Sequence, residues 1–309
     1  MNFLVVGPGA MGCLFAARLK RAGNDVTLFD YRQERAEFIN AHGVSVEGVT
    51  GEYSVRLPTV TGKIPGIPDV ALICVKANQT REAAERIKPR LGPQTRVLTL
   101  QNGLGNVEIL HEIFGKDRVL GGVTAEGATL LGPGQVRHAG QGQTIIGPSD
   151  SLKGPAETIV SAFDEAGFET RSVDKVNDLI WGKLIINVGI NSLTAITRLK
   201  NGRLPDIKGT KMVMEEAVRE AVAVAHAKNI TLPYPDPLTR VIEVCRATSG
   251  NIASMLQDVL NQRMTEVPFI NGAIVREGKA LGISTPVNQT LTCLVQAIQE
   301  TYQERITHN

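Results

Sequence analysis

What the chain lacks excludes several classes of protein. Its 309 residues carry a net charge of +2, so no basic surface calls for nucleic acid as a partner. Four cysteines, Cys13, Cys74, Cys245 and Cys293, form no C-x-x-C pair, and Cys13 and Cys74 lie in apolar runs. They read as buried free thiols in a reducing compartment. The five histidines show no metal-ligand spacing, so no metal site is expected. No apolar run reaches the ~20 residues of a membrane span. Only Asn2 separates Met1 from a short apolar strand, which leaves no room for a signal peptide. The expectation is a soluble, cytoplasmic protein without a membrane partner. Internal repeats and low-complexity linkers are also missing, and the most basic run, Arg18-Leu-Lys20-Arg21, has the spacing of a solvated helix face.

What is present points to a doubly wound α/β protein. The length suits two domains of ordinary size. Phe3 to Val6 is a short apolar run with the texture of a buried parallel strand. Gly7-Pro8-Gly9-Ala10-Met11-Gly12 follows at once, and a helical pattern begins at Cys13. This is G-x-G-x-x-G in its strand–turn–helix context. The first glycine makes the turn, the second lets backbone approach a pyrophosphate, and the third lets helix and strand pack closely. A second strand, Val26 to Phe29, ends at Asp30. An acid there typically bonds the ribose hydroxyls of NAD. Arg32, two residues on, could instead reach the 2′-phosphate of NADP if Asp30 turned away.

Further apolar strands, Asp69–Val75 and Arg96–Leu100, end at Lys76 and at Gln101-Asn102-Gly103. Ligands of open parallel sheets bind beyond such strand ends. Lys76 is therefore a candidate for cofactor phosphate or ribose, and Asn102 for nicotinamide ribose or substrate. Between Val119 and Gly147 the texture turns glycine-rich, which predicts hairpins closing the sheet. A helix over 151–166 and a last strand over 169–173 complete a Rossmann-type domain at 1–173. The remainder, 174–309, reads as an all-α domain.

One long helix, predicted over 175–198, carries an unusual polar stripe. Lys183, Asn187 and Asn191 interrupt an otherwise apolar run at intervals of four. Four residues return to about 40° from the starting direction, so the three share one face. Buried amides and a buried lysine are costly unless something polar meets them, whether backbone or ligand. An apolar wall also disfavours the charged lysine, which suits a proton donor working near neutral pH. Helices are predicted over 208–229, 238–247, 251–263 and 274–280, with a final one opening at Thr285-Pro286. The apolar residues of that last helix, Leu291, Leu294, Val295 and Ile298, suit either internal packing or a homodimer interface.

Six blocks in order carry a resemblance over nearly the whole chain. They are Gly7-x-Gly9-Ala10-x-Gly12, Lys76-Ala77, Asn102-Gly103, Lys183-Leu-x-x-Asn187-x-x-x-Asn191, Asn251-Ile-x-Ser254-Met-Leu-Gln-Asp258 and Thr265-Glu266-x-x-x-Ile270-Asn271-Gly272. Together they resemble the ketopantoate reductases (2-dehydropantoate 2-reductases). The resemblance implies a Rossmann domain that binds NADP, a helical domain that closes over it, and reduction of the C2 ketone of ketopantoate to (R)-pantoate, on the route to pantothenate and coenzyme A. It implies that Lys183 is the general acid and that Glu266 positions lysine and nicotinamide ribose. Asn187, Asn191, Ser254 and, less closely matched, Asn201 would hold the substrate. Asn102 would touch both cofactor and substrate, Lys76 the cofactor, and Ala128 the nicotinamide.

One feature departs from the family pattern. Members that use NADP commonly carry a basic residue directly after the second strand, where this chain has Phe29-Asp30-Tyr31-Arg32. Either Arg32 takes the clamp or NADH is preferred. NADP is the family's answer and NAD stays open. With Asp30 facing the ribose, Asp30→Ala would shift use towards NADPH. Two alternatives accompany the main reading. One is a related dehydrogenase acting on another small 2-oxo acid. The other is a dinucleotide-binding protein without turnover, for which a buried Lys183 and an asparagine row have no use.

Overall fold

The computed structural model describes residues 1–148 and 155–304. By its internal contacts the chain forms two compact units. One comprises Met1–Gln101 and Asn106–Val176, the other Asn102–Gly105 and Asn177–Asn309.

The first unit is built on twelve strands: β1 (Asn2–Val6), β2 (Asp25–Phe29), β3 (Val44–Gly48), β4 (Tyr53–Val55), β5 (Thr59–Val60), β6 (Val70–Ile73), β7 (Arg96–Thr99), β8 (Val119–Thr124), β9 (Gly127–Gly132), β10 (Gln135–Gly140), β11 (Thr144–Gly147) and β12 (Thr170–Ser172). Eight of them form one sheet in the order β12-β11-β8-β7-β6-β1-β2-β5. Pairing is parallel from β5 across to β8, and β11 runs antiparallel to β8. The order reverses at β1, which lies between β2 and β6, so the ligand crevice of this fold class falls at their carboxyl ends. Strands buried on both faces must be apolar throughout, and Phe3–Val6 and Val70–Ile73 are. The helices of this unit are α1 (Ala10–Arg21), α2 (Gln33–His42), α3 (Thr80–Ile87), α4 (Asn106–Phe114) and α5 (Pro155–Glu165). The expected start of the last of these, Ser151 to Gly154, lies outside the described residues.

Two features differ from the expectation. The glycine-rich stretch does not simply close the main sheet: β9 and β10 form a hairpin in a second, four-stranded sheet, ordered β4-β3-β10-β9. Its partner β3, with β4 beside it, went unpredicted, and the pairing of Val46 with Val136 spans 90 residues of chain. Arg18 is also no solvated residue, being 7% exposed. Its Nε donates to the Ala166 carbonyl at 3.0 Å, and its guanidinium lies 4.1 Å from the Phe168 ring centroid, tying α1 to the turn after α5.

The second unit packs α7 (Lys208–Ala227), α8 (Pro237–Ala247), α9 (Ser254–Leu260), α10 (Asn271–Leu281) and α11 (Pro286–Glu300) around α6 (Asn177–Thr197). Trp181, Leu184, Ile185 and Val188 of α6 are buried in its core. By length and apolarity α6 could cross a membrane, which run length alone did not register, but 67% of its most apolar window is buried inside the protein. Leu291, Val295 and Ile298 of α11 are spent on the same core, and Leu294 is exposed. Internal packing is therefore where most of that apolar face goes.

α9 is shorter than the predicted 251–263. Its N-terminal neighbours form a loop in which the Asn251 carbonyl accepts from Asn201 N at 3.2 Å, and Gln262 beyond it takes a φ of 52°.

Candidate active site

In the first unit the three motif glycines divide the work by sterics. Gly7 has a φ of +99°, and a Cβ there would come within 2.7 Å of Val75 Cγ1. A Cβ on Gly12 would sit 2.0 Å from the Gly7 carbonyl oxygen, so α1 can approach β1 only without one. A Cβ on Gly9 would meet nothing closer than the Cys74 carbonyl oxygen at 4.0 Å. Gly9 therefore keeps space open instead of filling a contact. α1 begins just after it with no side-chain cap and no acid in its first turn, which leaves its positive end to an anion. Pro8, Ala10 and Met11 complete this turn, with Ala10 and Met11 packed against the core.

A groove opens beside the glycine loop, with Val6, Gly7, Tyr31, Val75, Ala83 and Arg86 in its wall. Its apolar surface and flanking tyrosine suit a planar base, and the loop fits a pyrophosphate. The residues present thus fit a dinucleotide. Lys76 caps the short helical turn Ala77–Gln79 after β6, at the sheet's ligand edge.

Asp30 is held inside the protein. It is 1% exposed, and its carboxylate accepts from Arg35 Nη2 at 2.6 Å, from the same guanidinium's Nε, and from the amides of Tyr31 and Arg32 at 2.7 and 3.1 Å. Arg35 neutralises the charge that would repel a 2′-phosphate, and it and the two amides occupy most of the carboxylate's acceptor sites. Arg32 is exposed, with its Nε donating to Tyr31 Oη at 3.0 Å at the rim of the groove. Ala128 lies in β9 of the second sheet, opposite His138, and packs against the core of the first unit.

The second unit gathers the other candidates. Lys183 and Asn187 are half-buried and Asn191 is 5% exposed, all along one stripe of α6. Burial pulls the Lys183 ammonium down to about 8, and the nearby Glu266 carboxylate opposes that shift. The Asn187 Nδ2 is buried without a hydrogen-bond partner among the described residues, and so is Asn201 Oδ1. Orphaned buried amide atoms are costly in a finished core and ordinary where a ligand completes the set.

Several supports hold these groups in place. The Pro233-Tyr234 loop presses on Gly182, where a Cβ would lie 2.7 Å from Pro233 Cγ, and the Tyr234 hydroxyl donates to the Gly182 carbonyl just before Lys183. Asn271 accepts from Ser192 Oγ at 2.6 Å and donates to the Val188 carbonyl and to Asn288 Oδ1, pinning α6 to α10 and α11. Thr265, just before Glu266, is bound through its amide and hydroxyl to Gln299 Oε1. Asn102 belongs to the segment that clusters with this unit: Leu104 N donates to the Phe269 carbonyl at 2.8 Å, and a Cβ on Gly103 would meet that oxygen at 2.5 Å. Ser254 is exposed at the first position of α9. Thr265 and Asn271 stood in the resemblance block without a role of their own, and Tyr234, Gln299, Ser192 and Asn288 were not singled out from sequence.

The family model for ketopantoate reductase PanE/ApbA matches residues 3–151, and the model for its C-terminal part matches 175–299. The chain belongs to the ketopantoate reductase family. A 2-dehydropantoate 2-reductase of Halobacterium salinarum is 35% identical over 97% of this chain and 99% of its own. The crystal structure of a PanE/ApbA family ketopantoate reductase from Ralstonia eutropha superposes with a TM-score of 0.90 at 32% identity, covering 98% of this chain and 100% of that one. D-mandelate dehydrogenase, in a ternary structure with NADH and anilino(oxo)acetate, superposes at 0.91 and 29% identity, with 98% and 100% covered. The α/β sheet followed by a helical half is the architecture of this family.

Proposed function

We propose that the chain reduces the C2 ketone of 2-dehydropantoate to pantoate with a reduced nicotinamide dinucleotide, NADPH by preference. Family membership over both halves of the chain and full-length relatives named for this reaction support it. The observation that carries the mechanism is Lys183, half-buried on α6, drawn down to about 8 and faced by Glu266.

The reduced nicotinamide supplies hydride to the ketone carbon. Gly7 to Gly12 bind the pyrophosphate through backbone and helix end, with Lys76 and Asn102 on phosphate and ribose. The apolar groove takes the adenine, and Arg32, with Asp30 silenced by Arg35, takes the 2′-phosphate. Lys183 holds its proton towards the carbonyl oxygen, stabilises the charge that develops there and then gives the proton up. Glu266 keeps enough of the lysine protonated near neutral pH. Asn187 offers its unpartnered Nδ2 to the substrate carboxylate or ketone, and Asn191, Asn201 and Ser254 complete the polar set.

The test is loss of reduced-nicotinamide absorbance with ketopantoate, run in parallel with NADPH and NADH. Fast turnover favouring NADPH is expected. Binding of cofactor with no turnover of any 2-oxo acid would leave only the non-catalytic alternative. The likeness to D-mandelate dehydrogenase gives a second reading, reduction of another 2-oxo acid with NADH. A substrate panel separates the two.

A further inference from the structure

The side-chain amide of Asn201 is oriented by a neighbouring hydroxyl. Asn201 opens the short helical turn Asn201–Arg203 after α6 and is 7% exposed. Its Nδ2 donates to Thr248 Oγ1 at 2.9 Å. The Thr248 hydroxyl has one proton, and it points at the Val244 carbonyl at 2.7 Å. A flipped amide would need that same proton, leaving two oxygens face to face with no hydrogen between them. With the Thr248–Val244 hydrogen bond kept, Nδ2 faces Thr248, and Oδ1 points the other way, buried and unpartnered among the described residues.

The surroundings hold this arrangement. Asn201 N donates to the Asn251 carbonyl and Gly202 N to the Ser249 carbonyl, at 3.2 and 3.4 Å. A Cβ on Gly202 would sit 2.6 Å from Ser249 Cβ, so the two loops touch only because residue 202 is glycine.

The orphan atoms of the two amides differ in kind. Asn187 presents a donor and Asn201 an acceptor. The carboxylate and ketone of a 2-oxo acid accept hydrogen bonds and give none. A lone buried acceptor has use only for a group with a proton to give, and on such a substrate that group is a hydroxyl. We propose that Thr248 is a positioning residue: by fixing the Asn201 amide it presents an acceptor to a substrate hydroxyl, and so selects hydroxylated 2-oxo acids over their deoxy counterparts. This rests on the reductase reading given above.

Thr248→Val keeps the side-chain shape and removes the hydroxyl, and Thr248→Ser restores it. The measurement is kcat and KM with NADPH for ketopantoate and for 3,3-dimethyl-2-oxobutanoate, which lacks only the hydroxyl. Thr248→Val should lower kcat/KM on ketopantoate about tenfold, through KM, and leave the deoxy acid within about twofold. Thr248→Ser should return the preference. An equal loss on both substrates, or on neither, would overturn the proposal while leaving the reductase reading in place. A wild-type protein that reduces the deoxy acid but not ketopantoate would overturn the reading itself, and the selectivity with it.

Discussion

The two units make their ligand surfaces from different material. In the first, the glycine turn offers backbone amides and a helix end, and its shape is set by the absence of side chains at Gly7, Gly9 and Gly12. In the second, the surface is made of side chains, Lys183, Asn187, Asn191 and Asn201, on a backbone held by Tyr234 and Asn271, with Thr248 bonded to the Asn201 amide. A backbone site is broken by adding atoms. A side-chain site is broken by removing them, and its charge responds to pH. On the proposed mechanism the helical unit carries the chemistry, and the glycine turn carries most of the affinity for the cofactor.

The sharpest way to break this contrast is Lys183→Met. Without its proton donor the protein should lose about 10²–10⁴-fold in kcat, while calorimetry shows NADPH bound as before. A parallel loss of NADPH affinity would contradict the division of labour. A pair of glycine variants sharpens the other side. Gly12→Ala drives a methyl into the Gly7 carbonyl and should cost about 1–3 kcal/mol of stability in thermal unfolding. Gly9→Ala, with its nearest contact at 4.0 Å, should melt like the wild type and still bind NADPH more weakly. Equal melting losses would show that Gly9 is a packing residue.

Asp30→Ala strips Arg35 and two amides of their acceptor. It should lower stability by about 1–3 kcal/mol, with little change in the ratio of NADPH to NADH use. Arg32→Ala should reduce that ratio at unchanged stability. A ratio that moves with Asp30 and not with Arg32 would return the ribose to Asp30. The smallest effect on stability belongs to Asn187→Ala. Nδ2 has no protein partner to lose, so unfolding should shift by less than about 0.5 kcal/mol while KM for ketopantoate rises.

The glycine turn was legible in sequence because its chemistry is local: Gly7 to Gly12 carry strand end, turn and helix start within six residues. The stripe on α6 was legible because helical periodicity puts Lys183, Asn187 and Asn191 on one face whatever packs around them. Asp30 was misread. Its partner Arg35 stands five residues on, past the rival Arg32, and only the geometry of the turn chooses between them. The second sheet was invisible for a related reason, since β3 and β10 find each other only in the folded chain. The supports of the second unit follow the same rule. Asn271 reaches Ser192 across 79 residues and Asn201 reaches Thr248 across 47, separations for which no local pattern exists.

The most direct test of the central claim is the pH profile of kcat/KM for NADPH-dependent ketopantoate reduction, in the wild type and in Lys183→Met. Burial holds the lysine at about 8, below its ordinary 10.5, so its proton is present below that pH and lost above it. Between those two values the unfolded chain keeps a proton that the folded chain has released, so this group adds stability as pH rises while activity falls. The account predicts a wild-type profile that is flat to about pH 8 and then drops about tenfold per unit, with no such limb in the residual activity of Lys183→Met. A wild-type profile that stays flat to pH 10, or the same limb in both proteins, would contradict it.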